Sequence, residues 1–99
     1  MINHQVAEEL SRYAMELQAQ GENLYRIRAV RRAVMMVLEA TEPLPDLLAR
    51  LGSEAWRARL GLGASLGNTI EHYLQTGEWA PAGTPVMSRA GYIEPTARG

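Results

Sequence analysis

Apolar residues recur along the first four-fifths of the chain at intervals of three and four, the period of an α-helix with one face turned inward. Val6, Leu10, Tyr13, Ala14 and Leu17 follow this spacing until Gly21, which predicts a first helix that Asn3 caps and a left-handed glycine ends. Asn23 has the chemistry to cap a second helix, in which Ile27, Val30, Ala33, Val34, Val37 and Leu38 share one broad face. Arg28, Arg31 and Arg32 then fall on the other side, with Arg26 at the edge.

Pro43 and Pro45 end that helix or open the next one. "DLLARL", from Asp46 to Leu51, predicts a short helix with Leu47, Leu48 and Leu51 inward. Gly52 stops it, and Ser53 is placed to cap another short helix, "EAWRARL", with Glu54 in its first turn and Trp56 and Leu60 as core candidates. After Gly61-Leu62-Gly63, a stripe of Leu66, Ile70, Tyr73 and Leu74 predicts a last helix that Gly77 terminates. Residues 80–99 hold prolines and glycines at loop density, so an irregular tail is expected, in which Val86, Met87, Tyr92 and Ile93 are the residues able to dock. The fold expected is all-α, with four or five short helices ending in a helix-hairpin-helix, residues 1–79, followed by that tail.

A chain of 99 residues has room for one core. Its 46% hydrophobic and 21% charged residues are the proportions of a globular chain. No apolar run reaches the roughly 18 residues of a membrane span. Glu8 and Glu9 stand where a signal peptide would be apolar, and a cytoplasmic protein without membrane association is expected. Cysteine is absent, which excludes disulfides and thiolate chemistry. His4 and His72 lack partners at ligand spacing and read as surface or helix-end residues, so no metal site is expected. Glu8, Glu9, Glu71 and Glu78 read as solvated faces.

The net charge of −1 is unlike that of most nucleic-acid-binding domains, but the charge is segregated. "LYRIRAVRR", residues 24–32, holds four arginines and no acid, and all ten basic residues of the chain are arginines. Gly61-Leu62-Gly63 fits two readings. One is an ordinary turn between helices. The other is a hairpin whose glycines allow close backbone approach while Leu62 anchors the turn, leaving the amides that open the next helix free to hold a phosphate. Arg28, Arg31 and Arg32 likewise read either as a solvated face or as phosphate partners. Gly67 lies within the last helix, at a cost of about 1 kcal/mol relative to alanine, and a close contact there would account for it.

Three stretches in order, "G-E-N", "R-x-x-R-R-A" and "G-L-G…I…L-Q-T-G", make the chain from Asn3 to about Trp79 resemble the N-terminal helix-hairpin-helix domain of family X DNA polymerases, in its polymerase-beta-like and bacterial form. The resemblance implies a noncatalytic, sequence-nonspecific module for DNA repair that grips the backbone of gapped or 5′-phosphorylated DNA. The phosphate contacts it implies are the amides of Gly61, Gly63, Ala64 and Ser65, with Arg26, Arg57 and Arg59. It also implies a monovalent cation on the turn carbonyls and no other cofactor.

Several positions depart from the family. Thr69 takes the place of the lysine that forms a Schiff base in the family's lyase members, and no lysine occurs elsewhere. The only amine left is the α-amino group of Met1, so no enzyme activity is expected. Val30 replaces a common tyrosine, Ser65 stands where some members have lysine, and Arg59-Leu60 replaces Leu-Pro. Nothing of the family's nucleotidyltransferase domain is present, so polymerisation is not expected of these residues. The alternative is a protein-interaction module that kept the fold and lost its DNA grip.

Overall fold

The computed structural model describes residues 2–81 and places five helices in them: α1 (Ile2–Ala19), α2 (Leu24–Glu39), α3 (Leu44–Leu51), α4 (Ser53–Leu60) and α5 (Ala64–Thr76), with no strand among these residues. The expectation for docking by Val86, Met87, Tyr92 and Ile93 lies outside the described residues. No helix is long and apolar enough to cross a membrane among the described residues.

Among the described residues the most extensive helix contact is between α1 and α2, which a short connection at Gly21 folds back on each other. Gly21 takes φ +72°, while Glu22 N–H donates to Leu17 O at 2.9 Å and Gly21 N–H to Gln18 O at 3.1 Å, which satisfies the last carbonyls of α1. Asn23 caps α2 as expected, its side chain accepting from Tyr25 N–H at 2.7 Å. From α1 the core receives Val6, Ala7, Leu10, Tyr13, Ala14 and Leu17, and from α2 it receives Ile27, Val30, Ala33 and Val37. Leu38 departs from expectation: it lies at the edge of the apolar face, on a surface groove with Ala7, Ser11 and Val34, and stays 49% exposed.

Asn3 also departs from expectation, because it lies inside α1 and caps a different helix. Buried, it donates from Nδ2 to Glu42 O at 3.0 Å and accepts at Oδ1 from Leu44 N–H at 2.8 Å. Leu44 is the first residue of α3, where Pro43 at the cap position offers no side-chain acceptor. α3 thus begins two residues before the expected Asp46, with Leu44 fully buried. Ser53 is not the cap of α4 either. Gly52, at φ +85°, takes that position, and Ser53 becomes the first helical residue with its hydroxyl turned toward α5. Leu44 and Leu47 of α3, Trp56 and Leu60 of α4, Leu62 of the turn and Ile70 of α5 complete the core. The indole N–H of Trp56 is buried without a partner, a cost of about 1–3 kcal/mol that its large apolar burial offsets.

Beyond Gly77, at φ +78°, the chain turns back and Trp79 packs edge-on to Tyr73 of α5 (centroids 5.7 Å apart) and to Tyr13 of α1 (6.3 Å). Aromatic edges from three segments therefore tie the last helix to the first.

Candidate phosphate-binding hairpin

The turn between α4 and α5 forms from its glycines and one leucine. Gly61, at φ +69°, is left-handed, which lets its N–H reach Ala58 O (3.2 Å) and the N–H of Leu62 reach Arg57 O (2.8 Å). Leu62 is buried under the turn and holds it to the core. Gly63 is extended, at φ −75°, and caps α5 through its backbone only; its carbonyl accepts from Gly67 N–H at 2.9 Å. Gly61, Gly63, Ala64 and Ser65 are all exposed, and no side chain caps the amides that open α5. These four expected site residues therefore come together in one turn, with the positive end of the α5 dipole facing solvent.

The three expected arginines are not gathered there in the same way. Arg57 leaves α4 and lies across Gly67, where a Cβ would stand 2.5 Å from its Nε and 2.6 Å from its Cδ. From there Nε donates to Glu71 Oε2 at 2.9 Å and Nη2 to Asn68 Oδ1 at 2.7 Å, with Nη2 also 2.7 Å from Glu71 Oε2. Its Nη1 is 3.5 Å from Ala64 O, beside the first turn of α5. Glu71 accepts from Ser53 Oγ as well. That hydrogen bond is the main cause that holds the Glu71 carboxyl below its ordinary range, with the hydrogen bond and charge of Arg57 adding to it and burial opposing. Glu71 is consequently not the solvated face residue expected from sequence. It is the centre of a clamp joining both ends of α4 to α5.

Arg59 lies roughly 160° around α4 from Arg57, given 100° per residue. It is exposed and lines a cavity of about 220 Å³ with Met36, Glu39, Thr41 and Glu42, toward α2 and α3. Arg26 rests on Tyr13, donating from Nη2 to its hydroxyl at 2.7 Å, with the guanidinium carbon 6.0 Å from the ring centroid and Glu22 at 3.9 Å. Through Tyr13 and Trp79 it is linked to Tyr73, near the C-terminal end of α5, whereas the turn opens the other end. Thr69 is buried, its hydroxyl donating to Ser65 O at 2.9 Å. His72 is exposed and 3.3 Å from Glu78, and Arg31 donates to Gln18 at 2.7 Å.

Sequence reasoning missed Asn68 and Glu71 as partners of Arg57, and Ser53 as a partner of Glu71. The available signal was Gly67 itself, a glycine one turn before an acid on a helix, with an arginine on the preceding helix. No known protein family, curated protein or solved structure matches this chain.

Proposed function

We propose that this chain is a noncatalytic module that binds the DNA backbone without reading bases, holding a phosphate on the amino end of α5. The observation that carries the reading is the exposed, uncapped first turn of α5 on a Gly-Leu-Gly hairpin anchored by Leu62. Aligned amides and a helix dipole attract a phosphate whatever the base sequence. The family X resemblance points to the same amides and to gapped or 5′-phosphorylated DNA in repair.

Arg57 takes a different part from the one first expected. Its charge is shared with Glu71, so it shapes the hairpin and borders the phosphate, and the amides supply the grip. Binding should then favour a doubly charged 5′-phosphate end over an internal phosphodiester. No lysine is available for Schiff-base chemistry, and the reading includes none.

The test is fluorescence anisotropy on a gapped duplex carrying a 5′-phosphate or a 5′-hydroxyl, titrated with salt. Affinity is expected to fall as salt rises and to be higher for the phosphate. Ser65→Glu separates binding from folding: an acid in the first turn complements the dipole and holds or raises the melting temperature, yet repels phosphate, with about tenfold or greater loss of affinity. Absence of binding at low salt, or wild-type affinity in Ser65→Glu, overturns the reading.

A further inference from the structure

We propose that the open face of the α1–α2 hairpin is the seat of a second copy of this chain, in a two-fold dimer that lays α1 of each protomer over α2 of the other. An apolar groove of about 640 Å³ runs along this face, floored by Ala7, Ser11, Val34 and Leu38 and edged by Met15. Met15 is 68% exposed and Leu38 49%, and Met35, one turn from both Leu38 and Arg31, is 58% exposed. Three of the five large hydrophobics exposed among the described residues thus lie on or beside one groove. Scattered exposed apolar residues are ordinary, whereas a contiguous group along a groove marks a contact surface.

His4, Glu8 and Arg12 edge the groove on α1 and Arg31 lies beside it on α2, and beyond that edge the outer surfaces of the two helices differ in sign. On the α2 side stand Arg28, Arg31 and Arg32, and residues 24–38 contain no acid. Arg28 and Arg32 make no ion pair among the described residues. On the α1 side, residues 8–16 hold three glutamates against one arginine, and that arginine, Arg12, is paired with Glu9 at 2.8 Å. Both Glu8 and Glu16 point to solvent.

An acidic partner would suit the α2 surface and be repelled by the α1 surface, and a basic partner the reverse. A second copy satisfies both. A two-fold axis parallel to the helices sets α1 of one protomer over α2 of its partner, so basic meets acidic twice across a closed apolar seam. Tyr13, which carries Trp79, lies roughly 160° around α1 from Met15 at 100° per residue, so this seam and the α5 side of the molecule face apart.

Sedimentation equilibrium on the full chain tests the proposal. A dimer is expected to grow in between about 10 µM and 1 mM, and Leu38→Glu, at an exposed site that leaves the fold intact by circular dichroism, is expected to abolish it. Two charge-reversed variants test the arrangement: Arg28→Glu with Arg32→Glu, and Glu8→Arg with Glu16→Arg. Each alone should be monomeric, like surfaces now facing one another, and their equimolar mixture should dimerise. Ser65→Glu should leave the dimer untouched, which separates this result from the DNA reading. A monomer throughout the range, a dimer indifferent to Leu38→Glu, or a mixture that stays monomeric overturns the proposal; a monomer would leave the groove to residues 82–99 or to a different protein.

Discussion

Arg57 spends its donors on Glu71, Asn68 and the first turn of α5, along a path that a Cβ at residue 67 would force to shift. Two opposed effects therefore meet at Gly67. Alanine would raise helix propensity by about 1 kcal/mol, but it would push the guanidinium off its partners. Gly67→Ala is expected to destabilise the wild type, and to stabilise an Arg57→Ala background by about 1 kcal/mol, a coupling that a double-mutant cycle in urea would measure. Equal effects in the two backgrounds would refute the contact.

Glu71 gives the clamp a pH dependence. Its folded pKa is depressed, chiefly by Ser53 and then by Arg57, so its stabilisation is present above the ordinary carboxylate value of 4.5 and is lost as pH falls through the folded value. Melting temperatures of wild type and Glu71→Gln should lie apart at neutral pH and converge as the pH falls through the folded value, below 4.5. A gap that holds constant with pH would contradict this origin. Glycine, arginine and glutamate were each visible in the sequence, but a charge on a helix reads as solvated until the side chain that crosses to it is known.

Among the elements, α3 depends most on its neighbours. Its 8 residues are too few to hold a helix alone, and its cap position is a proline. Asn3 supplies the missing acceptor to Leu44 N–H and also bonds Glu42 O, which joins the start of α1 to the start of α3. Asn3→Ala leaves both backbone groups without that partner and is expected to cost about 2 kcal/mol, read from urea denaturation, with hydrogen exchange speeding first in α3. An unchanged midpoint would show that water replaces the side chain without cost. The capping chemistry of Asn3 was legible from its type. Its target was not, because the acceptor serves an amide 41 residues further along the chain.

At the scale of the whole molecule, α1 separates two surfaces. Tyr13 faces Trp79 and, through it, Tyr73 on α5, while Met15 and Ser11 face the groove shared with α2. A phosphate on the hairpin and a second chain on the groove would use different faces and would not compete. The all-α architecture, the helix ends at Gly21, Gly61 and Gly77 and, Leu38 apart, the inward face of each helix were determined by the sequence alone, because a 3.6-residue period and a left-handed glycine act over a few neighbouring residues. Tertiary structure alone decided that Asn3 caps α3, that Arg57 crosses Gly67 to Glu71, and that Arg59 turns away from the hairpin. Periodicity states which face of a helix turns inward; only packing sets another helix against it, and the partners of long polar side chains follow from that.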